Sequence, residues 1–216
     1  GLRVRKVRSL QTGTQANLIE TRYLPGLQIR THSGTGEELH VIEVSTGRAS
    51  LRVLHWKSEQ PTGIPNNQQR YSLTDHLGSS TLELDQHANI ITEERYYPFG
   101  GTAWSSGEAV QVSYKTVRYS GKEQDATGLY YYGFRFYVPW VQRWLNPDPA
   151  GTIDGLNVFA FISGNPLRFI DADGLDAIDV GNLSNSQENA LGLYGEWIRP
   201  SRNPARFTTR CGNVRQ

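Results

Sequence analysis

Few residues in this 216-residue chain combine the type and the spacing that catalysis requires. The five histidines, His32, His40, His55, His76 and His87, all precede residue 88 and lack metal-ligand spacing, which suits packing or surface roles. Cys211 is the single cysteine, so an internal disulfide framework is excluded, and with no nearby histidine it is a poor nucleophile. No Gly-rich phosphate loop occurs, and the C-terminal stretch contains no histidine, which removes the commonest nuclease and nucleotide-dependent chemistries. Carboxylates remain. Asp148 stands in NPDPAG, a strong turn sequence in which Asp caps the backbone, Pro fixes φ and Gly accepts the left-handed region. An aspartate there can also act as an acid or a base, and the tetrapeptide alone leaves both roles open. The run YYYGFRFY (130 to 137) could stack sugars or bases, or pack its tyrosines between strands.

The elements that must position such groups read as strands. Alternating or β-branched runs recur between turn signals: LHVIEV (39 to 44), ASLRVLHW (49 to 56), RYSL (70 to 73), STLELD (80 to 85), NIITEERYY (89 to 97) and YYYGFRFY. Between them lie Thr46-Gly47, Leu77-Gly78, Ala88-Asn89 and Thr127-Gly128, where Gly or Asn is expected to supply the positive φ of a tight hairpin. The pattern predicts an all-β fold of consecutive antiparallel hairpins, with helix confined to short turns around 152 to 165 or in the tail. SEQPTGIPNNQQ (58 to 69) reads as an irregular surface loop.

Composition narrows the function classes. Lys and Arg total 22 against 21 acidic residues, so no global field gathers nucleic acid or acidic membranes. No apolar run approaches the roughly 18 residues of a membrane span. The chain starts at Gly1 inside a strand-like pattern and has no Met, which reads as a fragment whose initiator lies elsewhere. After Leu175 the residues turn polar, and 176 to 216 is expected to be a loosely held tail.

With these segments in view, the chain resembles the RHS-repeat-associated core at the end of RHS and YD-repeat toxins. Asp75, His76, Leu77, Gly78 and Ser79 match that family's D-H-L-G-S signature in the last shell repeat, RYSLTDHLGSSTLELDQHANIITEERYYPFGGTAW (70 to 104). RYSGKEQDATGLYYYGFRFYVPWVQRWLNPDPAG (118 to 151) is similar to the core pattern, and DGLNVFAFISGNP leads into the closing DADGL. With YLPGLQIR (23 to 30) and RVLHW (52 to 56), the likeness is greatest to the C component of insecticidal toxin complexes.

The resemblance implies RHS/YD-repeat shell hairpins over 1 to 117, a core with a self-cleavage site over 118 to 175, and a variable tail over 176 to 216. It implies a hollow shell made jointly with a B component and upstream RHS segments, the tail enclosed as cargo, and secretion as part of a larger complex. No cofactor, metal, nucleic acid or membrane span is implied. Carried over by position, the family's catalytic residues are Asp148, Asp171 and Arg135, and the bond cut lies between Leu175 and Asp176. Of two nearby carboxylates one keeps its proton and serves as general acid while the other activates water, and Arg135 could hold a carboxylate or stabilise the oxyanion. Asp154 and Asp173 are the runners-up in the same cluster, and both also suit turns. Three positions depart from the family: Ala172 replaces Pro, Asp176 replaces Met, and Gln142 replaces a Gly, so slower cutting is expected. A non-catalytic structural module and a carbohydrate-binding β module are the alternatives.

Overall fold

The computed structural model describes residues 3–12, 15–46, 49–152 and 155–182. Nine strands form one antiparallel sheet in strict chain order: β1 (Arg5–Thr12), β2 (Gln15–Leu24), β3 (Leu27–His32), β4 (Glu37–Thr46), β5 (Ala49–Ser58), β6 (Gln68–Thr74), β7 (Ser80–Leu84), β8 (Ile90–Tyr96) and β9 (Thr102–Gly107). Each strand pairs with the next, so the all-β hairpin architecture expected from the alternating runs is the one observed. Short 3-10 turns fall where helix was expected, at Ile162–Gly164 and Val180–Asn182, but α1 (Ala109–Ser113) lies outside those stretches and follows the sheet directly. Its Val110, with Tyr114, packs on a cluster of Leu39, Val41, Leu54, Trp56 and Ile64, so the meander buries one face beneath the segment that leaves it.

The same face of the later strands is polar. Arg70, Glu83, Thr92 and Glu94 are at most 1% exposed. Their charges are matched: Glu83 is bound by Arg52 and Arg70, and Glu94 by Arg118 at 2.6 Å and Lys115 at 3.2 Å. Buried charge is tolerated because each ion has an opposite partner and hydrogen bonds. Arg3 and Lys6 at the sheet's first edge reach Glu123, so the strip curls round the segment that follows it.

That segment builds two small sheets. β10 (Glu123–Gln124), β11 (Tyr130–Tyr131), β12 (Phe136–Val138) and β13 (Arg143–Trp144) form a four-stranded meander, and β14 (Phe169–Asp171) pairs with β15 (Ala177–Asp179). YYYGFRFY is therefore two strands about a turn at Gly133, whose φ of +111° breaks the run. Tyr130, Tyr132 and Tyr137 are buried with Tyr119, Trp144 and Phe161 in an aromatic core, which takes these rings away from any sugar or base. The stretch NVFAFIS is neither helix nor strand: a bridge from Ala160 to Arg143 is followed by a 3-10 turn at Ile162–Gly164. Strand β15 lies beyond Leu175, inside the stretch expected to be loose, and Ile178 and Val180 pack on the aromatic core. The rest of the tail, from 183, with Cys211, Asp154 and the Thr46-Gly47 turn, lies outside the described residues.

Candidate functional site

One turn recurs through the molecule. In Asp75–Gly78, Asp85–Ala88, Asp125–Gly128 and Asp148–Gly151 the fourth residue's N–H donates to the first residue's carbonyl. In each, the aspartate Oδ1 accepts the N–H two residues on, at 2.7 to 2.9 Å. The fourth residue takes positive φ; in the second turn this is Ala88 (φ 62°) rather than the expected Asn89, because the aspartate's anchor sets the register. Asp171 follows the same habit, its Oδ1 accepting the N–H groups of Asp173 (3.1 Å), Gly174 (2.6 Å) and Leu175 (3.2 Å).

At Asp148 and Asp171 only Oδ1 is used by the turn. Both Oδ2 atoms face one guanidinium. Arg135 follows the Gly133 turn into β12 and is 3% exposed. Its Nη1 donates to Asp148 Oδ2 at 2.6 Å, and its Nη2 lies 3.6 Å from Asp171 Oδ2. The side chains of both aspartates are buried as well, at 8% and 2% exposure. No direct hydrogen bond joins the two carboxylates; Arg135 stands between them. The same guanidinium donates from Nε to the Gly174 carbonyl at 2.6 Å and from Nη2 to the Leu175 carbonyl at 3.1 Å. The cation also stacks 4.2 Å from the Trp144 ring centroid, which fixes its plane.

The electrostatics of the aspartates follow from burial. Asp171 is pushed up from 3.8 to about 6, because loss of water outweighs the backbone N–H groups and Arg135, both of which favour its charge, while Asp173 adds a like charge. A carboxyl in that range carries a proton at mildly acidic pH and can give it up near neutrality.

Three contributors escaped the sequence reading. Gly174 has φ +86°, and a Cβ there would meet the Arg135 backbone nitrogen at 2.9 Å, so only glycine lets the loop lie on the arginine's own turn. Trp144 holds the guanidinium from above. Lys122, buried, donates to the Ala172 carbonyl at 2.6 Å. The glycine and the lysine stood in the quoted segments, but nothing in a linear pattern tells a structural lysine from one beside a site. Asp173 accepts Phe134 N–H at 2.9 Å through its backbone carbonyl, a turn role. Among the described residues no cluster of metal-ligating side chains occurs, and no helix is long and apolar enough to cross a membrane.

No family model matches the chain. It is 48% identical over 200 residues to toxin subunit YenC2 of Yersinia entomophaga, covering 89% of this chain and 21% of that subunit. It superposes on the crystal structure of TcdB2-TccC3 with a TM-score of 0.76 and 51% identity, over 80% of this chain and 8% of that one. The chain belongs with the TccC-type RHS toxin subunits. A Tc holotoxin pore of Photorhabdus luminescens matches as well, with a TM-score of 0.76 and 50% identity, covering 81% of this chain and 8% of that one. The TccC-type likeness therefore extends over most of this chain, while the chain spans about a fifth of the YenC2 length.

Proposed function

We propose that this chain is the end of a TccC-type shell, with hairpins over 1 to 117 and a core over 118 to 175 that cuts the backbone once between Leu175 and Asp176. The carrying observation is that Arg135 touches Asp148, faces Asp171 and donates to the Leu175 carbonyl. In the cut, water adds to the Leu175 carbonyl carbon as Asp148 takes its proton. Charge developing on the carbonyl oxygen falls on Arg135 Nη2, a buried donor already in place. The C–N bond then breaks, the protonated Asp171 passes its proton to the Asp176 nitrogen, and Leu175 keeps the new carboxylate. Enzyme and substrate are one chain, and effective molarities on the order of 10⁵ M or more let a modest dyad complete a single turnover.

The subunit pairs with a B component and upstream RHS segments, encloses residues 176 to 216 and whatever follows them as cargo, and is secreted with the complex. The structures that it matches are of complexes, which supports the partner reading. The Oδ1 contacts of both aspartates would also serve a structural module that never cuts. Intact mass of the full-length protein separates the two: two chains meeting at Leu175 and Asp176 support cutting, and one chain after prolonged incubation refutes it.

A further inference from the structure

Lys122 lies between the last shell repeat and the loop that carries Asp171. Its backbone closes a tight turn: Arg118 N–H donates to Lys122 O at 2.9 Å, and Lys122 N–H to Tyr119 O at 3.0 Å. That turn is fastened to the D-H-L-G-S segment, because Ser80 N–H donates to Arg118 O at 3.0 Å and Ser120 N–H to Ser79 Oγ at 3.1 Å. From there the lysine side chain passes over the Tyr132 ring, with Nζ 5.1 Å from the centroid, and ends on the Ala172 carbonyl at 2.6 Å.

Ala172 sits between Asp171 and Asp173 at the head of the loop whose N–H groups bind Asp171 Oδ1. The loop is thus held from two sides. Arg135 grips its far end at the Gly174 and Leu175 carbonyls, and Lys122 grips its near end. We propose that Lys122 is a positioning residue for the cut, clamping the Ala172 carbonyl so that Asp171 and the Leu175 carbonyl keep their places on Arg135. The role rests on the self-cutting reading above.

Placing an ammonium on the Ala172 carbonyl out of water is costly, which argues that the charge itself matters. Burial pulls Lys122 down to about 8, and Asp171 and Asp173 hold it up. The attraction is mutual: Lys122 and Arg135 favour the Asp171 carboxylate, while burial and Asp173 oppose it, and the neutral Tyr132 phenol lies near Lys122 and Asp171. Removing the ammonium therefore raises Asp171 further. The upper limb of the pH–rate profile, where the general acid loses its proton, should move to higher pH.

The test uses full-length protein made by cell-free synthesis and chased in buffers from about pH 5 to 8, counting product that ends at Leu175 by mass spectrometry. Lys122→Met should slow the cut by about 10-fold or more at the acid end, as expected for a displaced reacting group, and shift the upper limb upward. Lys122→Arg, which keeps charge and donors, should hold the limb near the parent's and recover part of the rate. A Lys122→Met profile that superposes on the parent's, or is lowered without moving its limb, overturns the role. Should Lys122→Met lower the melting temperature by more than about 10 °C, Lys122→Arg decides: a folded variant with a parental limb supports the role, and one with a shifted limb refutes it. A parent chain that never cuts sinks the self-cutting reading and this role together. A parent that cuts beside a Lys122→Met that cuts identically sinks only the role of Lys122.

Discussion

Asp85 in the strip and Asp171 in the core are built alike and behave in opposite ways. Each carboxylate accepts three N–H donors: His87 N, Asn89 N and Asn89 Nδ2 at Asp85, and three successive backbone N–H groups at Asp171. Asp85 is open to water, and its bond from the Asn89 side chain holds it below the usual carboxylate range. Asp171 follows Ile170 of the aromatic core and is 3% exposed, and burial lifts it to about 6 despite the same number of bonds and a nearby arginine. Hydrogen bonding makes the turn; removal of water makes an acid of it.

The largest expected difference between the two aspartates is in cutting. Asp171→Asn or Asp148→Asn should lower the rate by about 10³-fold or more with the fold retained, since Asn keeps the shape but exchanges no proton. Asp85→Asn should leave the rate unchanged and melt within a few degrees of the parent. Equal cutting by Asp148→Asn and the parent in a mass-spectrometric time course would return both core aspartates to the turn class.

Glycines sharpen the same contrast. Gly174→Ala brings a Cβ to 2.9 Å from the Arg135 nitrogen at a φ of +86°, and should displace the Leu175 carbonyl and slow cutting by about 10²-fold. Gly151, at φ +74° in the Asp148 turn, has no atom within 4 Å of the point a Cβ would occupy, so Gly151→Ala should cost about 1 kcal/mol of stability and leave the rate alone. Similar losses of rate in both variants would mean that the loop at Gly174 is no more constrained than an open turn.

Replacing Arg135 by Lys should slow the cut by roughly 10-fold, because a point charge cannot serve Asp148, Gly174 and Leu175 at once. The pH dependence of stability should split the two aspartates by sign. The folded value of Asp171 lies above its unfolded 3.8, so its contribution is full below that pH and is lost as pH rises through about 6. A shift of that size corresponds to on the order of 2–3 kcal/mol. Asp85 works the other way, its contribution being present above 3.8 and lost as pH falls through its depressed folded value. Denaturant melts of Asp171→Asn and Asp85→Asn between about pH 3 and 8 read both signs.

The smallest effect concerns a departure from the family pattern. Gln142 holds φ 60° in the turn between β12 and β13, where the TccC-type sequence expectation is Gly. Gln142→Gly should raise stability by about 1 kcal/mol by relieving a left-handed side-chain residue, with cutting unchanged, as thermal melts and the same mass assay would show.

Sequence alone determined the hairpin meander, because period-2 runs bounded by Asp- and Gly-anchored turns are local signals, and every strand of the sheet pairs with its chain neighbour. It also brought Arg135, Asp148 and Asp171 forward together, through motifs that match position by position. What it could not supply was any quantity that depends on enclosure. The break of YYYGFRFY at Gly133 is set by the hairpin it closes, whereas the charged inner face of β6 to β8, the placing of α1, and the clamp from Lys122 depend on distant segments meeting, such as the 31 residues between Arg52 and Glu83 and the 50 between Lys122 and Ala172. Asp85 and Asp171 show the limit most plainly. Each is an aspartate at the head of a turn, and only the tertiary packing, by deciding which one loses its water, separates a cap from an acid.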